Sequence, residues 1–153
     1  MIKYIITDCD GTLTDCRYYV NSKGEMTKTF NVKDNAAVRM FKEKGIIMVM
    51  ITSARVGQSL FINRLMAAYM EFDHFIPAKI GTKLQTLKEN DIILEESIYV
   101  GDGQDDMECL KAVKKPYVPK SADKSVQRYG VVLKSSGGEG VLMEIYERNS
   151  RLI

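Results

Sequence analysis

An α/β fold with a central parallel sheet wrapped by helices is predicted by two features of this sequence. Short apolar runs alternate with stretches of helical periodicity, and the most apolar runs end in clusters of short polar residues. The first run, Lys3 to Thr7, carries Tyr4-Ile5-Ile6 and stops at Asp8-Cys9-Asp10-Gly11, where Asp-Gly marks a tight turn. The segment "RYYVNSKGEMTKTF", about 17–30, then interrupts the alternation. It reads as a β-hairpin, with Tyr18 and Val20 on one arm, Asn21-Ser22-Lys23-Gly24 as the turn and Met26 to Phe30 returning. Ile46 to Ile51, the longest apolar run, suits a central strand, and Ile98 to Val100 and Val131 to Leu133 supply two more. Helices are expected from the spacings Ala37-Met40-Phe41, Phe61-Leu65-Ala68, Ile80-Leu84-Leu87 and Val141-Leu142-Ile145, with their apolar faces covering the sheet. The expected architecture is a Rossmann-like three-layer α/β/α sandwich plus one small hairpin after the first strand.

The bulk properties narrow the function. At 153 residues, without internal repeats or a Pro/Gly/Ser-rich linker, the chain is expected to form a single domain over 1–153. Twenty-two basic against 20 acidic residues leave a charge of +2, with the basic residues scattered, so no nucleic-acid partner is expected. The longest apolar run is far short of a membrane span, and the first residues lack a signal-peptide pattern. Three cysteines, Cys9, Cys16 and Cys109, show no metal-ligand spacing, and a reduced, cytoplasmic setting is expected. The nine methionines read as core fillers.

In open α/β sheets, ligands gather at the carboxyl ends of the strands. There the sequence places Asp8 and Asp10 after the first strand, Thr52 and Ser53 after "IIMVMI", and Asp102, with Asp105 and Asp106 just beyond, after "SIYVG". Each is ordinary alone: Asp-Gly makes turns, Thr or Ser caps helices, and acids favour a first helical turn. Together they make a site. Closely held carboxylates repel one another unless a cation sits between them or one stays protonated. Asp8 and Asp102 are hard oxygen donors suited to Mg²⁺, which also binds substrate phosphate. With that charge neutralised, Asp8 could attack phosphorus in line, and Asp10 could protonate the leaving oxygen and later activate water. Thr52, Ser53, Gly11 and a lysine would hold the phosphoryl oxygens. Lys83 is the candidate lysine and Lys79 the alternative.

The strings "DCDGTLTD", "ITSAR", Lys83 and "GDGQDD" resemble the four ordered motifs of the haloacid dehalogenase superfamily of phosphohydrolases. The resemblance implies Asp8 as nucleophile, Asp10 as acid/base and as a metal ligand through its backbone carbonyl, and Asp102 as the second metal carboxylate. It implies that Asp106 supports the metal site through the lysine or a bound water. Over nearly the whole chain, "NSKGEMTKTFNVKDNAAVRMFKEKGI", the "GTKL" around Lys83, "GDGQDDMECLKAV" and "SSGGEGVLMEI" are similar to capless 3-deoxy-D-manno-octulosonate 8-phosphate phosphatases and the phosphatase-like domain of acylneuraminate cytidylyltransferases. That branch implies no separate cap domain, a homotetramer in which the hairpin helps form the ring and a neighbour closes the site, and a phosphorylated keto-deoxy sugar acid as substrate. A phosphatase for another small phosphate ester and a non-catalytic oligomerisation module are the alternatives.

The chain departs from that pattern at three places. It reads Thr52-Ser53-Ala54-Arg55 where the resemblance implies Thr-Gly-Arg or Ser-x-Glu, Asp34-Asn35 where it implies Asp-Gly, and Glu139 where it implies an arginine in a Gly-Gly-Arg-Gly segment. The Glu139 change bears on which sugar acid is preferred. Gly137 to Gly140 reads equally as a flexible entry to the last helix or as a substrate or subunit contact. Asp105 is expected to face solvent, His74 to pack or lie on the surface, and Cys9 to point into the sheet packing.

Overall fold

The computed structural model describes residues 1–151, so the last two residues of the domain expected over 1–153 lie outside the described residues. Strand β1 (Tyr4–Asp8) is followed by the hairpin strands β2 (Tyr19–Val20) and β3 (Met26–Thr27). The chain then alternates through α1 (Val32–Glu43), β4 (Ile47–Thr52), α2 (Gly57–Tyr69), β5 (His74–Pro77), α3 (Lys83–Glu89), β6 (Ser97–Val100), α4 (Met107–Ala112), β7 (Lys115–Val118), α5 (Lys124–Gln127), β8 (Val131–Val132) and α6 (Val141–Asn149). Among the described residues the main sheet has six strands in the order β5-β4-β1-β6-β7-β8, paired in parallel throughout, and β2 and β3 pair antiparallel beside it. The order reverses at β1, so the crevice of the sheet opens where β1 ends.

Side-chain alternation builds the three layers. Ile5, Met48, Met50, Ile98 and Val100 face one way, into a core with Val38 and Phe41 of α1, Ala67 of α2 and Leu142 and Ile145 of α6. Their neighbours Ile6, Val49, Ile51 and Tyr99 face the other way, against Leu87 of α3, Leu110 of α4 and Val126 of α5. Cys9 is buried in the first core, as expected from its place beside Asp8, and burial pushes its thiol well above the usual range. Met48, Met50 and Met70 are fully buried and Met1 is exposed, so the core-filling role is confined to part of the methionine set.

The sequence reading missed two strands. β5 and β7 contain Pro77 and Pro116, which argue against a strand interior. β5 is the edge of the sheet, and in β7 the pairing to β8 begins only at Tyr117, beyond the proline. Two expected helix faces also need correction. In α2 the expected face of Phe61, Leu65 and Ala68 points outward, all three exposed and joined by Tyr69, while Asn63, Ala67 and the adjacent Met70 are buried. Ile80 precedes α3 and is exposed.

Helix α6 starts at Gly140, which has no side chain to cap the free amides. The cap comes from α1: buried Asp34 accepts from Leu142 N at 2.7 Å through Oδ1 and leaves Oδ2 without a partner. Burial, opposed by the α6 amides, raises the Asp34 carboxyl to about 6. In the unfolded chain the group ionises near the ordinary carboxylate value, so between that value and about 6 the folded state binds the extra proton. Asp34 therefore stabilises the fold less as pH rises through this window and costs stability above it. Asp34→Asn keeps an acceptor for α6 and removes the ionisation. It should flatten this part of the stability curve and stabilise the protein at pH 7 by about 1–3 kcal/mol, checked by urea unfolding of both proteins at pH 4 and pH 7.

Candidate active site

Asp8, at the end of β1, is 6% exposed, and just beyond β6 Asp102 and Asp106 approach it, with ligand-capable oxygens of the three carboxylates within 4.8 Å of one another. Lys83, the first residue of α3, is 3% exposed, and its Nζ donates at 2.7 Å to both Asp8 Oδ1 and Asp106 Oδ1. Lys79 is exposed, so Lys83 is the lysine the fold delivers. Burial alone would lower the Lys83 ammonium, but the charges and hydrogen bonds of Asp8 and Asp106 outweigh it and hold the group above the usual lysine range. Burial and the Asp106 charge raise Asp8 well above the carboxylate range, with Lys83 opposing, and the same two causes raise Asp102 to about 6.

Two glycines make this crowding fit. A Cβ on Gly11 would lie 2.0 Å from Asp102 Oδ2, and one on Gly101 2.4 Å from Asp106 Cγ. Gly11 also has φ +90°, and its N–H donates to Thr14 Oγ1 at 3.2 Å. Gly11 thus makes room for Asp102, and its amide is engaged within its own loop, not presented to a phosphoryl oxygen as expected.

Both oxygens of Asp106 are occupied. Oδ1 accepts from Lys83 and from Tyr99 Oη at 2.5 Å, and Oδ2 accepts from the amides of Asp102 and Gly103 at 3.0 and 3.1 Å. Asp106 therefore braces the lysine and the Asp102 loop, leaving Asp8 and Asp102 as the carboxylates best placed for a cation. The Asp102 Oδ1 contact from Thr12 Oγ1 is long, 3.5 Å. Five carboxylates, Asp8, Asp10, Asp102, Asp105 and Asp106, face two ammonium groups, Lys28 and Lys83, in this centre. The excess negative charge and the all-oxygen donor set suit a hard divalent cation such as Mg²⁺.

Asp8, Asp10, Thr52, Ser53, Lys83, Asp102 and Asp106 line one cavity of about 280 Å³. Thr52 is buried, and its Oγ1 accepts from Ala54 N at 3.1 Å and Asn63 Nδ2 at 3.2 Å. Ser53 Oγ donates to Asp105, which also accepts from the Gly81 amide. Asp105 is thus a clasp between the loops after β4 and before α3, not the solvent-facing residue expected, and it takes the proton that Ser53 would offer a phosphate. Asp10 carries its carboxylate away from the three-acid cluster: Lys28 Nζ donates to Oδ1 at 2.5 Å and Asn63 Nδ2 to Oδ2 at 2.9 Å.

Lys28, Ser59 and Asn63 escaped the sequence reading. Lys28 looked like any hairpin lysine. Asn63 carried a usable signal, a polar residue four and seven positions before Ala67 and Met70 on the buried face of α2. The glycine segment has a packing role neither alternative anticipated: a Cβ on Gly137 would lie 2.1 Å from Gly11 O, and Gly138 N donates to Thr12 O at 3.0 Å. His74 is exposed on β5.

Solved structures share this architecture. The 3-deoxy-D-manno-octulosonate 8-phosphate phosphatase of Moraxella catarrhalis, solved with magnesium ion, phosphate ion and KDO, has a TM-score of 0.86 and 25% identity, covering 98% of this chain and 86% of that one. The cobalt-bound Haemophilus influenzae enzyme gives 0.84 and 25% over 98% and 88%. In sequence, the chain is 26% identical over 148 residues to the Haemophilus influenzae phosphatase, 94% of this chain and 80% of that protein. It is 20% identical to N-acylneuraminate cytidylyltransferase A of Danio rerio, covering 96% of this chain but spanning only 34% of that longer protein. No family model matches the chain. The resemblance read from the motifs is thus borne out: the relatives include phosphoric monoester hydrolases, the Moraxella enzyme is solved with the expected magnesium, and Asp8, Asp102 and Asp106 of this chain form a group that could hold a metal ion.

Among the described residues no helix is long and apolar enough to cross a membrane. Magnesium at about 100 times its dissociation constant should stabilise the fold by about 2.7 kcal/mol, a rise in Tm of roughly 5–10 °C for a chain of this size. Thermal unfolding with and without MgCl₂ checks this, and Asp102→Asn should lose most of the rise.

Proposed function

We propose that the chain is a magnesium-dependent phosphomonoesterase acting on a phosphorylated keto-deoxy sugar acid through an aspartyl-phosphate intermediate. The reading rests chiefly on one arrangement: Asp8 at the end of β1 is held by Lys83, faces Asp102, and has a second acid, Asp10, two residues on and opening into the same cavity. A domain kept only for assembly has no physical need of that second acid.

Asp8 and Asp102, with the Asp10 carbonyl, would hold the magnesium, which when bound offsets carboxylate and phosphate charge. An Asp8 oxygen attacks phosphorus as the phosphorus–oxygen ester bond breaks, and Asp10 gives its proton to the departing sugar oxygen. Water then attacks the phosphorus of aspartyl phosphate, Asp10 takes the water proton, and the Asp8–phosphorus bond breaks to release phosphate. Lys83 fixes Asp8 and, with Thr52, borders the space for the phosphoryl oxygens.

Phosphate release should be strongest, and magnesium-dependent, on 3-deoxy-octulosonate 8-phosphate or a sialic-type acid 9-phosphate in a panel with hexose phosphates and nucleotides. Asp8→Asn should lower turnover on the order of 10³-fold or more while leaving the fold intact. A best substrate outside the sugar acids would favour the broader phosphatase reading, and no turnover by folded protein with magnesium would favour the assembly module.

Association into a homotetramer is part of the same proposal. Phe61, Leu65 and Tyr69 form an exposed stripe on α2, beside a hairpin that exposes Tyr18, Tyr19 and Val20 and is tied to α2 by Gln58. Such a patch marks an interaction surface. Leu65→Glu should shift the protein to a smaller species in size-exclusion chromatography with light scattering, with its helical content unchanged.

A further inference from the structure

We infer that Lys28 is a positioning residue for Asp10, and that the hairpin serves the reaction by delivering it. The inference rests on the phosphatase reading above and assigns one more part of that site. The Lys28 side chain is 2% exposed, although it follows a hairpin whose strands are largely at the surface. An ammonium buried that far costs several kcal/mol unless acceptors satisfy it. Here three do: Asp10 Oδ1 at 2.5 Å, Ser59 Oγ at 2.7 Å and Asn63 Oδ1 at 3.0 Å. They match the three donors of the group.

The geometry gives the network a direction. Ser59 and Asn63 are four residues apart on one face of α2 and fix where the ammonium sits. The ammonium then holds Asp10 Oδ1, while Asn63 Nδ2 holds Oδ2 at 2.9 Å and reaches Thr52 Oγ1 at 3.2 Å. Each oxygen of Asp10 thus has its own donor, so the plane of the carboxylate is set, and its exposed side, about a third of the side chain, borders the cavity. The hairpin is locked to the same helix by Gln58, which donates to Gly24 O at 2.6 Å and accepts from Met26 N at 2.7 Å. A group that must give a proton to the leaving oxygen and take one from water has to be aimed at both, and misplacement by about 1 Å costs on the order of 100-fold.

The test separates aim from structural support. A sugar alkoxide needs its proton as it leaves, whereas nitrophenolate departs without one. In single-turnover rapid-quench measurements, which isolate the first bond cleavage, Lys28→Met should slow cleavage of the best sugar-acid phosphate about 100-fold, and of p-nitrophenyl phosphate by less than about 5-fold. Ser59→Ala, which removes a partner of the lysine and leaves Asp10 untouched, should show the same asymmetry at about 3–10-fold, and carries the test if Lys28→Met does not fold. Equal losses on both esters, or none on either, would overturn the role of Lys28 while leaving the phosphatase reading in place. Wild-type protein inert on both esters with magnesium present would overturn both.

Discussion

Carboxylate repulsion is the constraint on which this structure depends. Asp8, Asp102 and Asp106 crowd within a few ångströms at the end of the central strands, and Asp10 and Asp105 stand close by. A fold carries such a cluster only where opposite charge and hydrogen-bond donors are brought to it. Lys83 and Lys28 are both nearly fully buried for this reason, each with acceptors on every side. Burial, and after it the Asp106 charge, raise the Asp8 and Asp102 carboxyls despite the opposing Lys83, and a divalent cation would offset both causes. Tyr99, buried and donating to Asp106, adds to the same neutralisation, and its hydroxyl is pushed well above the usual range by burial and by the Asp106 charge.

The rest of the chain holds that cluster still. The loop after β1 is packed from outside by Gly137 and Gly138, and Asn31, the cap of α1, donates to Gly138 O at 3.0 Å. Asp34, one turn further along α1, caps α6, which the glycine segment leads into. The acid loop, the start of α1 and the start of α6 are therefore one connected unit, assembled from residues more than 100 positions apart in sequence. A side chain at Gly137 would collide with the backbone of the acid loop, so this glycine answers to packing, not to flexibility.

What was legible in the sequence was local. Strand ends carrying Asp8, Thr52 and Asp102 could be read because a buried apolar run and the polar turn after it are adjacent, and the parallel sheet brings such ends together. Lys83 could be proposed for a phosphate-type site but not separated from Lys79 until Lys83 was seen buried between Asp8 and Asp106 and Lys79 exposed. Lys28 and Asp105 were illegible because their roles come from contacts 18 to 52 residues away, with Asp10, Ser53 and Gly81. The α2 stripe misled for a different reason. Periodicity reports that a helix has an apolar face, not which neighbour covers it, and here the sheet is covered by the Asn63, Ala67 and Met70 side.

Glu139 shows where the single chain ends as a description of specificity. It is exposed, accepts from Ser136 N at 3.0 Å, and borders a groove with Lys33, Lys134 and Arg148, apart from the residues that line the Asp8 cavity. Among the described residues lining that cavity, Lys83 is the cation, and it is already shared between Asp8 and Asp106. The cavity walls of one chain thus carry no spare positive charge for a second anionic group such as the carboxylate of the proposed sugar acid. In the proposed assembly that charge would come from outside these walls, from Arg55 in the neighbouring groove or from a second copy seated on the hairpin and α2. On the proposed function, the phosphate chemistry would be encoded in strand ends and readable from sequence. The leaving-group preference would then be encoded in the surrounding surfaces, and Glu139 in place of arginine lies apart from the acid centre.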